Sequence, residues 1–424
     1  MVKVGVVGLG YVGIPVAVLA AEKGYDVVGI DLDESKIEAI NAGKSPMADE
    51  KLEKALVSKP FKASTDYADI ADADIVVIAV PTPVKDELPD LTILKAATTA
   101  TGENLQDGAL LIIESTINPG VCDDALIPLL AEMDLTEGSD YHMAHCPERI
   151  SPGDEWDLKD INRVVGSNSE EGLNRALEFY NKLLDADVKP MGSIKEAEAV
   201  KVVENSFRDI NIAFVNELAM SFDLMGINLE NVIDGASSKP FGYMPFRPGP
   251  GVGGHCIPVD PHYLIEYAKT FGFEHRFMRL ARDVNKAMPG FVVDVTRRAL
   301  EEKDIKLEDA KVALFGLSYK PNVDDLRESP SLEILDQLKE MGVEVVVYDP
   351  YHVKDDHAES IDDALGDNVD ALILATHHDD YKELSPETMK KHGVSVFVDS
   401  RNMFKDTKQD FKDAGVLYRG VGQS

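Results

Sequence analysis

The sequence predicts an α/β protein: two doubly wound, Rossmann-like domains joined by a helical middle region with a long central helix. The same alternation of buried strand and helical segment occurs near both ends of the chain, where Lys3–Gly10 and Lys311–Leu317 each open a series of strands. Between them, Ile194–Gly226 carries apolar residues at helical spacing, with no Pro or Gly before its end. We therefore expect a parallel sheet in each end domain and one long helix between them.

The internal repeat extends over four strands in each half. In the first half, Lys3–Gly10 is followed by Asp26–Asp33, Asp74–Pro83 and Ala109–Thr116; their counterparts after Lys311–Leu317 are Val343–Asp349, Asp370–His377 and Val394–Arg401. A chain of 424 residues, 44% of them hydrophobic, is long enough to bury several cores. The expected domains are residues 1–190, 191–300 and 301–424. The long helix is expected to bridge the end domains and to contribute to the surface of a homodimer or higher homo-oligomer.

Composition narrows the class of protein. The net charge of −33 disfavours nucleic acid as a partner, and any anionic ligand must be held by a local cluster of positive groups. No apolar run approaches the length that spans a bilayer, and Val2–Val7 already forms a strand where a secretory leader would begin. Cys122, Cys146 and Cys256 contain no CxxC pair, which favours reduced thiols without a structural metal. We expect a cytoplasmic protein with no membrane segment.

A glycine motif follows the first strand directly and precedes a helix. Gly8 permits the tight turn, Gly10 lets backbone amides approach a pyrophosphate, and Gly13 allows close packing of helix on strand. Asp31 falls at the end of the second strand, where a carboxylate accepts from a ribose 2′-hydroxyl and repels a 2′-phosphate. The motif therefore predicts NAD, not NADP, as the cofactor.

The carboxyl-terminal repeat differs at the same position. Gly316–Lys320 keeps one glycine of the three, so the second α/β domain is not expected to hold a dinucleotide. Lys320 and Arg327 lie close to this turn in the sequence and suit a phosphate or ribose of a different nucleotide.

A second candidate site lies in Pro240–Pro261, a turn-rich segment too long for a simple connection. Cys256 stands there after several glycines and beside His255, where a thiol can act as an activated nucleophile. An inert small residue is the alternative interpretation. For Cys122 and Cys146, near strand ends with proline, a structural role is the better interpretation.

Polar residues on the long helix form a further candidate. Lys201, Asn205 and Arg208 follow at i, i+4 and i+7 and so share one face. A solvated stripe is one interpretation; the other is an ammonium and an amide that stabilise a developing oxyanion. Glu148 follows a strand end, where it is either a surface acid or a base that orients water.

Together the motifs resemble the UDP-glucose/UDP-N-acetylhexosamine 6-dehydrogenase family along essentially the whole chain, and closest to the UDP-N-acetylglucosamine enzymes. The matching segments are GLGYVG at Gly8–Gly13, VPTP at Val80–Pro83, EST at Glu114–Thr116, CPER at Cys146–Arg149, KVVENSFR at Lys201–Arg208, PGPGVGGHCIPVDP at Pro248–Pro261 and YKPNVDDLRESP at Tyr319–Pro330. Several motifs in the right order are more specific than any one of them.

The resemblance implies a role for each matching residue. Cys256 would form a thiohemiacetal and then a thioester, Lys201, Asn205 and Asp260 would serve the oxyanion, and Glu148 and Thr116 would position the hydrolytic water. The residues implied or predicted to contact NAD are Gly8, Gly10, Tyr11, Val12, Gly13, Asp31, Lys36, Thr82, Thr116 and Arg327. Those implied to contact the UDP-sugar are Arg149, Ile150, Lys201, Asn205, Arg208, Gly253, Tyr319, Lys320 and Arg401.

The implied reaction is a four-electron oxidation of a UDP-sugar at C6 to the uronate, in nucleotide-sugar metabolism that serves polysaccharide biosynthesis. In the UDP-glucose branch the cysteine is typically followed by a lysine–aspartate pair, whereas this chain has Val259–Asp260. Together with His255, this points to an acetamido sugar, with UDP-N-acetylglucosamine expected and UDP-glucose or UDP-N-acetylmannosamine as alternatives.

Two other functions fit part of the sequence. A two-electron hydroxyacid dehydrogenase shares the nucleotide domain and a helical-domain lysine, but it has no use for the Cys256 loop or for a second α/β domain. A non-catalytic nucleotide-sugar sensor would retain the binding motifs without needing Cys256 and Lys201.

Overall fold

The computed structural model describes residues 1–47, 50–85, 88–149, 157–254, 256–354, 356–366 and 368–423. The chain forms two compact units. The first contains Met1–Glu204 and His262–Phe273, and the second contains Asn205–Pro261 and Glu274–Ser424. The boundary between the two units therefore falls inside the long helix of the middle region.

The strands of the first unit are β1 Lys3–Val7, β2 Asp26–Ile30, β3 Lys62–Ser64, β4 Ile75–Ile78, β5 Val84–Lys85, β6 Leu88–Pro89, β7 Ala109–Ile113, β8 Tyr141–His145, β9 Arg163–Ser167 and β10 Val188–Pro190. Its helices before the middle region are α1 Gly13–Glu22, α2 Glu34–Asn41, α3 Glu50–Ser58, α4 Thr92–Gly102, α5 Ile127–Ala131 and α6 Glu170–Leu183. Single 3₁₀ turns cover Tyr67–Ile70 and Leu158–Asp160, and a π-helical turn covers Cys122–Leu126.

Eight strands of this unit form one sheet in the order β10-β9-β8-β7-β4-β1-β2-β3. The pairs from β3 to β8 are all parallel, which gives the doubly wound order of a dinucleotide-binding domain. The pair β8–β9 is antiparallel, and β10 follows β9 in parallel, so the last two strands run in reverse. The central strands β4 and β7 are buried throughout, as expected of a sheet covered by helices on both faces.

The middle of the chain is helical. Helix α7 covers Ile194–Met225, within one residue of the stretch expected from apolar spacing, and α8 covers Leu229–Ser237. Helix α9 covers Asp260–Thr270 and α10 covers Arg276–Glu301. Between α8 and α9 the described residues form neither helix nor strand, as the glycines and prolines of that segment predict.

The second unit contains the other sheet. Its strands are β11 Lys311–Phe315, β12 Glu344–Tyr348, β13 Ala371–Leu374, β14 Val396–Asp399 and β15 Leu417–Gly420, with 3₁₀ turns at Leu307–Asp309 and Asp379–Glu383. The helices after β11 are α11 Pro330–Glu340, α12 Ile361–Leu365, α13 Pro386–His392 and α14 Lys408–Asp413. All strand pairs of this sheet are parallel, in the order β12-β11-β13-β14-β15. Its first four strands repeat the order β2-β1-β4-β7 of the first sheet, so the internal repeat and the predicted fold class are confirmed.

Among the described residues, no helix is both long enough and apolar enough to cross a membrane.

Candidate active site

The glycine turn lies at the carboxyl end of β1, and α1 begins at Gly13. A Cβ atom on Gly13 would lie 1.8 Å from the carbonyl oxygen of Gly8, so only glycine allows this contact between turn and helix. A Cβ on Gly10 would meet nothing within 4 Å, so the space at the helix start is open. Tyr11 is exposed and Val12 is half-buried beside it. These residues fit a dinucleotide, whose pyrophosphate would bind at the start of α1.

Asp31 follows β2 directly. Its Oδ2 accepts from the backbone N–H of Leu9 at 2.8 Å, and its Oδ1 accepts from that of Asp33 at 3.0 Å. The ammonium of Lys36 lies 3.2 Å from Oδ2. The carboxylate is thus fixed against the glycine turn at the position where a ribose would be recognised.

We expect Asp31→Ala to weaken the preference for NAD over NADP, because the group that accepts from a 2′-hydroxyl and repels a 2′-phosphate is removed. Lys36 would remain and would then favour a 2′-phosphate. The ratio of kcat/KM with NAD to that with NADP measures the effect. An unchanged ratio would show that Asp31 only holds the turn.

Thr82 and Thr116 follow β4 and β7, neighbouring strands of the sheet. The Thr82 hydroxyl donates to the carbonyl oxygen of Thr116 at 2.6 Å, so the two predicted cofactor contacts do lie together. The buried Tyr263, on α9, donates its hydroxyl to the Thr82 carbonyl at 2.5 Å. Tyr263 was not singled out by the sequence, where it is an ordinary aromatic residue on a helix.

A buried charge cluster surrounds Glu148. Its Oε1 accepts from the Arg149 backbone N–H at 2.6 Å, and its Oε2 accepts from the guanidinium of the fully buried Arg163. Glu114, also buried, lies 3.8 Å from the same guanidinium and accepts from the Tyr180 hydroxyl. Burial raises the pKa of Glu114 to about 7, although Arg163 opposes the shift. Arg163 was not predicted from the sequence. The signal that could have identified it is its position as a charged residue at the start of an apolar strand.

Arg149 and Lys201 also lie in the first unit. Arg149 pairs with Glu204 and donates from Nη1 to the carbonyl oxygen of Asn162 at 2.7 Å. Lys201 is half-buried on α7, three residues before Glu204. Ile150, implied to contact the substrate, lies outside the described residues, as does His255.

In the second unit the polar face of α7 meets the start of α9. The Asn205 amide donates from Nδ2 to Oδ2 of Asp260 at 2.5 Å, and both residues are buried. The backbone N–H of Asp260 donates to the carbonyl oxygen of Cys256 at 2.8 Å, and Cys256 is exposed. Arg208, one turn beyond Asn205, is exposed. The predicted nucleophile is therefore one turn from the predicted amide–carboxylate pair.

The loop that carries Cys256, residues 248–259, is called the cysteine loop. It packs tightly on the turn that follows β11. A Cβ on Gly253 would lie 2.6 Å from that of Tyr319, and Gly254 adopts φ +84° with its N–H donating to the Arg327 carbonyl at 2.9 Å. Asp325 raises the pKa of Arg327, and the charge of Cys256 adds to this effect. Arg327, expected at the cofactor, thus lies in the second unit beside the cysteine loop.

Arg401 follows β14 and reaches the same loop. A Cβ on Gly249 would lie 3.0 Å from its Nη1, and its Nε donates to the carbonyl oxygen of Ala375 at 2.9 Å. Burial lowers the pKa of Arg401 to about 10, and among the described residues no carboxylate pairs with it. A partly buried guanidinium with no paired carboxylate among the described residues is suited to an anionic ligand. Lys320, half-buried next to Tyr319, is a second cation on this side of the sheet.

In the second α/β domain, Asp349 occupies the position that corresponds to Asp31 but makes different contacts. Asp349 follows β12 as Asp31 follows β2, but it is fully buried and accepts from the backbone N–H groups of Leu317 and Ser318 at 2.7 and 3.0 Å. His378 Nε2 lies 3.2 Å from the same carboxylate. Although burial opposes it, this contact lowers the pKa of Asp349 to about 2. Asp349 therefore stabilises the turn after β11 and is not available to contact a ribose.

The parallel sheet, the glycine turn and the acid after β2 define an NAD-dependent dehydrogenase of the Rossmann type. Three sequence profiles of one family match this chain: an NAD binding domain at residues 2–184, a central domain at residues 195–287 and a UDP binding domain at residues 313–406. The chain belongs to the UDP-glucose/GDP-mannose dehydrogenase family, and it is an oxidoreductase with NAD as its cofactor.

Curated relatives match over nearly the full length. The chain is 36% identical to UDP-N-acetyl-D-mannosamine dehydrogenase of Pyrococcus horikoshii, with 99% of each chain covered. It is 34% identical to UDP-N-acetyl-D-glucosamine 6-dehydrogenase of Pseudomonas aeruginosa, with 97% of this chain and 99% of the relative covered. Among solved structures, the UDP-D-ManNAc dehydrogenase from P. horikoshii superimposes with a TM-score of 0.91 at 34% identity, with 99% of both chains covered.

Proposed function

We propose that this protein catalyses the NAD-dependent, four-electron oxidation of a UDP-N-acetylhexosamine at C6 to the uronate. The observation that carries the proposal is the group of Cys256, Asp260 and Asn205, in which an exposed thiol lies one turn from a buried amide–carboxylate pair. A simple alcohol oxidation has no need of a nucleophilic cysteine, whereas an acid product formed through a thioester does. The proposed domains are residues 1–190 for NAD, 191–300 for the catalytic helices and 301–424 for UDP.

In the proposed mechanism the C6 alcohol loses a hydride from carbon and a proton from oxygen to give the aldehyde. The thiolate of Cys256 bonds to the aldehyde carbon, and the resulting thiohemiacetal loses a second hydride and proton to give a thioester, with the protons released to solvent. Bound NAD supplies the hydride acceptor for each of the two oxidations. Lys201 and Asn205, four residues apart on α7, donate to the oxygen on C6 wherever it carries negative charge. Asp260 holds the Asn205 amide in place, because it accepts from Nδ2.

Water then attacks the thioester carbonyl. Its oxygen bonds to C6, the carbon–sulfur bond breaks, and the thiolate of Cys256 leaves. Glu148 accepts one proton of this water, with Thr116 as a second positioning group. The product is the uronate, and the cysteine is ready for another cycle.

Cations of the second unit would hold the UDP group. Arg401, partly buried with no paired carboxylate among the described residues, and Lys320 supply the positive charge that a diphosphate requires. A local site is necessary because the protein as a whole carries a net charge of −33. Tyr319 and Gly253, packed on each other, would contact the nucleotide-sugar beside these cations. Arg149 and Arg208 are the remaining proposed substrate contacts, and Tyr11, Val12, Lys36, Thr82 and Arg327 the remaining proposed NAD contacts.

UDP-N-acetylglucosamine is the proposed sugar nucleotide, with UDP-N-acetylmannosamine as the alternative; the relatives named above act on these two compounds by their names. The supporting segment is Lys239–Arg247, which leads into the cysteine loop. It is anchored by Arg247, which pairs with Glu230 and with Asp234, and by a ring contact between Phe246 and Phe207 with centroids 5.9 Å apart. An anchored apolar segment suits an acetyl methyl group.

A panel of UDP-sugars tests the proposal. We expect kcat/KM with UDP-N-acetylglucosamine to exceed that with UDP-glucose by up to about 10⁴-fold, because a pocket that pairs the acetamido group leaves polar groups unmatched when glucose binds. UDP-N-acetylmannosamine in the same panel separates the two acetamido epimers. A clear preference for UDP-glucose would contradict the choice of sugar, and tight binding of a UDP-sugar without NADH formation would favour a sensor. A homodimer or higher homo-oligomer and a cytoplasmic location remain predictions.

A further inference from the structure

Arg163 carries its charge in a completely buried position. Its side chain is 0% exposed, one amino group donates to Glu148, and Nη1 donates to the carbonyl oxygen of Pro147 at 3.1 Å. A second carboxylate oxygen, on Glu114, lies 3.8 Å from Nη1. Burying a guanidinium is unfavourable unless carboxylates and carbonyls satisfy it, so this arrangement needs a reason beyond packing.

The reversed direction of β9 brings Arg163 to this place. Glu114 directly follows β7, and Glu148 follows β8, so both carboxylates lie at the carboxyl edge of the parallel strands. This is the edge at which open α/β sheets bind their ligands. Because β9 pairs with β8 antiparallel, its first residue, Arg163, lies at the same edge. A parallel strand would have placed its first residue at the opposite edge.

Within this cluster the guanidinium of Arg163 interacts mainly with the carboxylate of Glu148. The two oxygens of Glu148 accept from different donors, the Arg163 guanidinium and the Arg149 backbone N–H, so the plane of the carboxylate is fixed. Glu114 is bound separately by the Tyr180 hydroxyl, and burial raises its pKa to about 7. Glu114 also lies farther from the guanidinium, at 3.8 Å, whereas Glu148 accepts a direct hydrogen bond from it, so Glu114 competes weakly for the guanidinium.

We infer that Arg163 is a positioning residue for release of the product acid: it holds the Glu148 carboxylate in one orientation, so that the carboxylate can bind the attacking water. The inference rests on the proposed function, in which Glu148 takes a proton from that water as the oxygen bonds to the acyl carbon and the Cys256 thiolate leaves. Arg163 touches neither substrate nor cofactor in this role. Its loss should slow hydrolysis and leave both oxidations intact.

Pre-steady-state kinetics of Arg163→Lys and Arg163→Met separate these steps. With saturating NAD and the UDP-sugar that the wild type uses, we expect a burst of two NADH per active site at a rate within about twofold of wild type. The steady-state rate should then fall about 10²-fold, within the range of a lost general base. Intact-mass spectrometry should show the acyl group on the enzyme. Hydroxylamine, which attacks thioesters without a general base, should restore turnover and yield the hydroxamate.

Matched variants keep the inference falsifiable. Arg175→Met removes an arginine of the same unit that donates to the carbonyl oxygens of Gly108 and Asp74, and its turnover should stay within about threefold of wild type. Arg163→Lys keeps the buried positive charge. If the Arg163→Met protein does not fold, the burst and steady-state rates of Arg163→Lys test the inference. Loss of the burst together with turnover in a folded Arg163 variant, or an unchanged steady-state rate, would overturn the inference.

Glu148→Gln separates this inference from the proposed function. Accumulation of the acyl-enzyme in Glu148→Gln but not in the Arg163 variants would reject the role of Arg163 alone. Wild type that makes one NADH per sugar, with no acyl-enzyme in any variant, would reject the proposed function itself.

Discussion

Cys256→Ser is expected to lower the rate of acid formation by at least about 10³-fold, because a serine hydroxyl at its ordinary pKa is a far weaker nucleophile than a thiolate. The substitution replaces sulfur by oxygen and leaves the loop otherwise unchanged. NAD affinity should not change, since Cys256 is not among the residues proposed to contact NAD. Steady-state NADH formation and a separate titration of NAD binding give the two quantities.

Cys122→Ala is the matched control for this experiment. Cys122 is a buried thiol in the first unit. Its backbone N–H donates to Glu198 at 2.8 Å, and alanine retains this bond while it removes the contact of the thiol with the same carboxylate. Its turnover should remain within about threefold of wild type, as for most substitutions away from a site. Acid formation by Cys256→Ser at the wild-type rate, or equal losses of turnover and NAD affinity, would contradict the nucleophilic role.

Lys201→Met is expected to lower kcat by about 10²- to 10³-fold, the cost of removing one donor to a developing oxyanion. KM for the UDP-sugar should change much less, because the oxygen on C6 carries its negative charge only during reaction. Met keeps the length and helix propensity of the side chain, so α7 should remain folded. The separate values of kcat and KM test this role.

Lys195→Met provides a control on the same helix. Lys195 lies before Lys201 on α7 and pairs at 3.8 Å with Asp123, a partly exposed contact that contributes little. Its kcat should stay close to wild type. A Lys201→Met enzyme with unchanged kcat and a raised KM would show that Lys201 binds the ground state and does not stabilise the oxyanion.

The features that sequence reasoning predicted are those set by local patterns. Apolar spacing without Pro or Gly located α7 to within one residue, because helix ends follow from local propensity. The glycine turn and Asp31 were recognised from their spacing, and Lys201 and Asn205 share a face because four residues make about one turn. The four matching strands of each half were found in order because buried parallel strands are continuous apolar runs.

Contacts between distant segments were not predictable in the same way. Arg163 reaches Glu148 only because β9 reverses direction, and no residue in β9 encodes that reversal locally. Asn216 is another case: on α7, it binds Asn285 of α10 at 2.9 Å and accepts from the N–H of Gly249, which fixes the loop that carries Cys256. In the sequence it is one more polar residue on a helix, and its role depends on residues far along the chain.

The number of NADH molecules formed per UDP-sugar consumed tests the proposed chemistry most directly. With a limiting amount of UDP-N-acetylhexosamine and excess NAD, two NADH should form for each sugar, because passing from alcohol to acid removes four electrons. The product should have the mass of the uronate, and in ¹⁸O-water it should carry one heavy oxygen. One NADH per sugar, with an aldehyde or ketone as the final product, would contradict the thioester route.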